Sequence, residues 1–155
     1  MLLLKDDALV SDDWIYDKAE SEADHSSGTI VDLDHWLENR DLLKRSNRPL
    51  GIVLYPGQTL EPLAIDIESF QLIVLMFETF SDGRAYSMAR ILRDRFGFKG
   101  EIRAKGDVLV DQYPLMRQCG FNSFEVPDTA SIKVWQQSLN AISGSYQHDT
   151  QVHSI

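Results

Sequence analysis

From Pro49 onward the chain alternates short apolar runs with segments whose apolar residues recur at helical spacing, and this alternation constrains the fold more than any other feature. The runs PLGIVLYPG and QLIVLMF have the length and content of strands covered on both faces, and GEIRAKG and FNSFEV read as a third and a fourth strand. Between and after them lie LEPLAIDIESF, SDGRAYSMARILRDRFGF, VLVDQYPLMRQCG and DTASIKVWQQSLNAI, each with apolar positions at helical spacing. In the first of these, Leu60, Leu63, Ala64, Ile67 and Phe70 share a side, and Pro62 restricts the helix start to about Glu61. Strands and helices in alternation predict parallel strands joined by right-handed crossovers. The expected class is α/β, with a mostly parallel sheet of alternating β/α units, open or half-barrel-like, because four units are half of a closed eight-unit barrel.

The N-terminal region reads differently. MLLLK and ALVSDDWIY alternate around DD, which predicts a small β-hairpin or edge arm. DKAESEADHSSG reads as a loop. TIVDLDHWLENRDLLKRS carries Leu33, Trp36, Leu37 and Leu43 near helical spacing, with Asp34 as its expected cap. A single domain over 1–155 is expected, comprising an arm and acidic loop at 1–30, a β/α core at 49–142 and a flexible tail at 143–155. Residues 1–41 hold 12 acidic and 3 basic side chains, so they carry the whole net charge of −9. An acidic arm of this kind can pair with the locally basic stretch 82–107, within the molecule or across two copies. A homo-oligomer, a dimer, is expected because a half-barrel leaves edges that a second copy can cover. Nucleic acid is disfavoured as a partner by the overall charge.

The longest apolar run, Leu72 to Phe77, is strand-sized, and the start has neither a basic region nor a small-residue cleavage site. The expectation is a cytoplasmic protein without membrane contact. One cysteine, Cys119, leaves no internal disulfide and no CxxC pair. There is no GxGxxG after a strand and no GxxxxGK[ST], and His25, His35, His148 and His153 are scattered. Neither a cofactor nor a metal is expected from these residues.

SDGRAYSMARILRDRFGF follows the strand LIVLMF and begins a helix. Ala85, Met88, Ala89, Leu92 and Phe96 form one stripe, which predicts packing on the sheet. The arginines at 84, 90, 93 and 95 are dispersed around the wheel, and Gly97 is placed to end the helix with a left-handed conformation. Ser81, Asp82, Gly83 and Arg84 are the candidate anion-binding residues, since free N–H groups at a helix start beyond a strand's carboxyl end favour an anion. The same residues are also preferred as a simple helix cap, with Asp82 filling the N–H groups itself. Other strand ends on that rim carry Tyr55, Glu78, Arg103, Lys105, Asp107 and Glu125. Of these, Glu78, Arg103, Lys105 and Asp107 either surround one pocket together with Arg84 or satisfy one another as ion pairs.

The continuous run FSDGRAYSMARILRDRFGFKGEIRAKGDVLVDQYPLMRQCGFNSFEV, with LIVLMFETF before it, resembles an uncharacterised family of small bacterial proteins. Its members are described as oxidoreductases of sulfite reduction. DGRAYS, GDVL, DQ and CGF occur in order at the family's spacing, and the resemblance covers residues 49 to 126. Pro114 departs from it, standing where a helix-favouring residue is usual. The resemblance implies an accessory protein of bacterial assimilatory sulfite reduction, acting beside sulfite reductase as its partner. The residues themselves leave open a different reading, a small oxyanion- or metabolite-binding enzyme or sensor with its site at the carboxyl ends of the strands.

Overall fold

The computed structural model of the chain describes residues 2–6, 8–17, 28–125, 133–135 and 137. Its strands are β1 (Leu2–Lys5), β2 (Ala8–Ser11), β3 (Ile15–Tyr16), β4 (Thr29–Asp32), β5 (Leu50–Leu54), β6 (Leu72–Phe77), β7 (Glu101–Gly106) and β8 (Ser123–Glu125). The helices are α1 (Leu33–Arg45), α2 (Arg84–Asp94) and α3 (Tyr113–Cys119), and residues 133–135 and 137 are helical as well. All eight strands belong to one sheet, in the order β2-β1-β8-β7-β6-β5-β4-β3. From β3 to β8 each strand runs parallel to its neighbour, whereas β1 runs antiparallel to both β2 and β8. The sheet is therefore mixed, and the expectation of a mostly parallel one is corrected. The N-terminal hairpin does not stand apart as an arm: β1 pairs along β8 and covers what would otherwise be an open edge.

The connectivity requires that the sheet curl. Strands β2 and β3 lie on opposite edges, yet only Asp12, Asp13 and Trp14 separate them. Eight flat strands would place those edges about 34 Å apart, while the link reaches at most about 14 Å. The edges must approach each other, and the result is a half-barrel with the link drawn across its open side. Contacts agree with this. Asp12 and Tyr16 each reach residues of β7 or β8 that a flat sheet would hold well beyond side-chain length.

Alternation along the strands then sorts residues between two faces. The outer face presents Val31, Ile52, Leu54, Ile73, Leu75, Phe77, Ile102, Ala104 and Phe124 to the helices, in one core with Trp36, Met88, Leu92, Met116 and Phe121. From α2, Ala85, Met88, Ala89 and Leu92 are buried, as the stripe predicts. The inner face is apolar on one side only. Ile30, Val53, Leu72 and Val74 pack there with Trp14 and Tyr16. The register continues that face into Glu101, Arg103 and Lys105, then Ser123 and Glu125.

Local differences from the sequence reading have physical causes. Thr29–Asp32 is a strand, and Asp32, not Asp34, caps α1 by accepting the His35 N–H at 2.8 Å. Segment 59–70 folds as two short 3-10 turns, at Glu61–Leu63 and Ile67–Ser69. The segment does not form the continuous helix its spacing suggests, and the turns still bury Leu60, Leu63, Ile67 and Phe70. ALVSDDWIY divides between β2 and β3. Gly97 has φ +66°, in the left-handed region predicted for it. Pro114 sits in the first turn of α3, where its missing N–H costs nothing. The acidic loop at 18–27 and the expected tail at 143–155 lie outside the described residues. Among the described residues no helix is long and apolar enough to cross a membrane.

Candidate functional site

The candidate residues fall in two places. One is the rim formed by the loops after β5, β6 and β7; the other is the inner face of the half-barrel.

On the rim, Gly83 is the N-cap position of α2 and makes no side-chain cap. Asp82 does that work. Its Oδ1 accepts the Arg84 backbone N–H at 3.0 Å and Arg84 Nε at 3.0 Å, while Oδ2 accepts Nη2 at 2.7 Å. The carboxylate thus lies on both donors that a bound anion would use. These bonds hold the Asp82 carboxyl below its ordinary range and raise the Arg84 pKa. Ser81 Oγ lies 3.3 Å from Thr79 Oγ1, and Gly83 faces open space. Glu78 contributes charge at Arg84 without an ion pair to it. Asp107 accepts the Phe80 N–H at 3.2 Å, and Phe80 O accepts Gln112 Nε2 at 2.8 Å, tying the β6 and β7 loops together. The backbone of Gly57, at φ +86°, lies close beneath the Arg84 guanidinium, so the β5 loop joins the same surface.

Arg103 and Lys105 are not with Arg84. They project from alternate positions of β7 onto the inner face, and Arg103 is fully buried there. Its Nη1 lies 3.1 Å from Asp12 Oδ2 and 3.5 Å from Glu125 Oε2; its Nη2 lies 3.2 Å from Glu101 Oε2. Glu101 also accepts Ser123 Oγ at 2.7 Å and pairs with Lys5 at 3.0 Å. Glu125 accepts the Tyr16 hydroxyl, and Lys105 Nζ stands 3.7 Å from its carboxylate and 3.6 Å from the centre of the Tyr16 ring. Three cations and three carboxylates therefore balance within one cluster, in which Arg103 and the carboxylates are buried while the Lys5 and Lys105 side chains are 43% and 31% exposed.

Burial works against the charges of Arg103 and Glu101, and their partners outweigh it. Burial alone would lower the Arg103 pKa, but Asp12, Glu101 and Glu125 raise it above the ordinary value. Burial alone would raise Glu101, whereas the hydrogen bonds from Ser123 and Lys5 and the charge of Arg103 bring it below the usual carboxylate value. Tyr16 is pushed far up, first by burial and then by its bond to Glu125, so it stays a phenol.

The link that carries Asp12 is seated by alternate residues. Asp12, Trp14 and Tyr16 point inward, and Trp14 lies on a floor made by two glycines: a Cβ on Gly28 would collide with the indole, and one on Gly51 would come within 3.3 Å of it. Sequence reasoning did not find Asp12, Lys5, Tyr16, Glu101 or Ser123. One signal was present: charges at period two in EIRAKG, a strand otherwise flanked by apolar ones, mark a face that is buried but polar.

The arginines of α2 have structural partners. Arg93 donates to Gly120 O from Nε at 3.1 Å and Nη2 at 2.8 Å, and from Nη1 to Phe98 O and Gly100 O at 2.8 Å each. Arg95 pairs with Glu61 at 3.5 Å, and the Arg90 pKa is raised by the neighbouring Cys119. Among the described residues no group of His, Cys, Asp and Glu is arranged to hold a metal ion.

A search of curated proteins returns no match. A family model described as a bacterial protein of unknown function matches residues 51–154, which takes in β5 to β8 and leaves out the N-terminal hairpin and its link. The match spans well over half of the chain, and the protein belongs to that bacterial family, DUF934.

Proposed function

We propose that this protein is an accessory factor of assimilatory sulfite reduction that docks on sulfite reductase through the rim at the carboxyl ends of β5, β6 and β7. The observation that carries the docking surface is the exposure of Tyr55, Phe80 and Leu109, at 42%, 47% and 40%. They come from loops after three adjacent strands, which lie about 5 Å apart in a sheet, and the same loops carry Glu78, Asp82, Arg84 and Asp107. Half-exposed apolar side chains on one rim beside charged ones are the composition of a protein-binding patch. The inner face, where a β/α half-barrel has space for a ligand, is filled by the chain's own ion cluster and by Trp14. The choice of partner rests on the resemblance of the SDGRAYS to FNSFEV run to proteins of sulfite reduction.

The test is association of the two purified proteins at low salt, with sulfite turnover measured alongside. Wild type is expected to bind, and Phe80→Asp with Leu109→Asp to lose at least tenfold in affinity while melting at the same temperature. Absence of association and of any effect on turnover would sink the reading. If the double variant binds as well as wild type, another surface docks. Light scattering on the free protein separates docking from self-association: a dimer dissolved by the same substitutions makes the rim a contact between copies.

A second reading keeps Ser81, Asp82, Gly83 and Arg84 as an oxyanion site, and the open space at Gly83 beside an Arg84 side chain that is 60% exposed favours it, because an anion can reach both. Asp82 would have to release Arg84. Calorimetry with sulfite, sulfate and phosphate on Asp82→Asn and on Arg84→Ala decides it: heat with the first and none with the second is expected.

A further inference from the structure

We propose that the rim selects a cationic partner surface: the segment that covers Tyr55, Phe80 and Leu109 carries lysines or arginines around an apolar centre, and these pair with Glu78, Asp107 and Asp111. This rests on the docking reading and adds to it the chemistry of the partner.

The three loops that build the rim, 55–60, 78–84 and 107–112, contain four carboxylates, on Glu78, Asp82, Asp107 and Asp111, and one cation, Arg84. Asp82 already holds that cation, with Oδ1 3.0 Å from Nε and Oδ2 2.7 Å from Nη2. Glu78, Asp107 and Asp111 are exposed, and among the described residues none of them forms an ion pair. The apolar patch is thus accompanied by three uncompensated negative charges. In the free protein this costs little, because exposed carboxylates keep their hydration. Docking changes that balance.

Hydrogen bonds fix acid and patch together. The Phe80 N–H donates to Asp107 Oδ2 at 3.2 Å, and Phe80 O accepts Gln112 Nε2 at 2.8 Å. The Gln112 N–H in turn donates to Leu109 O at 3.0 Å, closing the turn that carries Asp111. Phe80, Leu109 and two of the carboxylates therefore belong to one clamp between the β6 and β7 loops. Asp107 cannot swing clear of a partner seated on Phe80 without giving up its bond. A surface that covers Phe80 strips water from that carboxylate, and an unpaired charge in a dehydrated interface is strongly unfavourable. A partner without cations at this position is disfavoured, and an acidic one is repelled.

Charge and apolar contact act on different rates. Charges at the edge of an interface steer approach and set the association rate, whereas its apolar centre sets how slowly the complex comes apart.

The experiment follows binding of the full chain to purified sulfite reductase by surface plasmon resonance, between about 50 and 500 mM salt. Wild type should associate about tenfold faster at the low end. Glu78→Gln with Asp111→Asn removes two of the three charges and leaves the Asp107 bond in place. Its association rate at low salt should fall about tenfold, with dissociation within about twofold of wild type. Glu78→Lys with Asp111→Lys should associate more slowly still. Leu109→Ala should raise the dissociation rate and keep the salt dependence. Equal melting temperatures check that the variants share the fold. The net charge of −9 gives any cationic partner some salt dependence, so the variants are what localise it to the rim. A complex whose association is the same in both charge variants as in wild type, or faster in the lysine variant, overturns the cationic partner and leaves the docking reading standing. Absence of a complex at every salt concentration overturns both.

Discussion

Replacing Arg103 by methionine tests the inner cluster directly. The substitution keeps an unbranched chain in the same space and removes the one cation that touches all three carboxylates. Asp12, Glu101 and Glu125 are 7%, 9% and 4% exposed, so water cannot take over the lost pairing. Removing one partner of a buried ion pair costs about 3 to 5 kcal/mol, against a total stability of about 5 to 15 kcal/mol for a domain. The variant should remain folded at 25 °C but melt roughly 10 °C lower. Its pH dependence should also flatten. In wild type the Glu101 pKa is depressed, so its contribution is present above the unfolded value near 4.5 and is lost as pH falls below that. Without Arg103 that charge no longer lowers Glu101, although the hydrogen bonds from Ser123 and Lys5 remain, so its pKa rises toward the unfolded value and less stability is lost on acidification. Urea unfolding of both proteins at about pH 4 and pH 7 measures this. A loss under about 1 kcal/mol at pH 7, or parallel pH slopes for the two proteins, would refute the claim that Arg103 holds the cluster.

Arg93→Met removes donors to the carbonyls of Phe98, Gly100 and Gly120 and should cost about 2 to 4 kcal/mol by chemical denaturation; Arg93→Lys should recover little, because a point donor cannot span three acceptors. Gly28→Ala should push Trp14 out of its seat, lowering stability by about 1 to 3 kcal/mol and red-shifting the tryptophan emission. In alkaline titration followed at 295 nm, Tyr16 and Tyr86 should stay phenolic past pH 10.0, the ordinary tyrosine value. A phenol raised in the folded state contributes stability that is present below its unfolded value and lost above it, so the fold should weaken as pH passes about 10.

Most elements were readable in the sequence because their signals are local. LGIVL and LIVLMF are apolar on every position and can only be covered strands; the stripe of α2 and the left-handed Gly97 follow from spacing and from the freedom of glycine. The misreadings arose where a local pattern supports two states. TIVD next to LDHW has helical spacing only if strand and helix are read together, and the register of β4 against β5 is what separates them. In SDGR, the residue types allowed either a cap or an anion site, and the distances place Asp82 on Arg84.

By itself the sequence determined an α/β chain with four strand runs from Pro49 onward, a helix packed through Ala85, Met88, Ala89 and Leu92, and an excess of acid in the first quarter. Periodicity and charge are properties of neighbours along the chain, so a sequence carries them. Tertiary structure alone decided that the N-terminal hairpin completes the sheet, that the sheet curls, and that Asp12 meets Arg103 across 91 positions of sequence. The physical reason is that a three-residue link cannot join the opposite edges of a flat eight-stranded sheet. Its shortness closes the barrel's open side and carries a carboxylate into it, a consequence of geometry in three dimensions that no window along the chain contains.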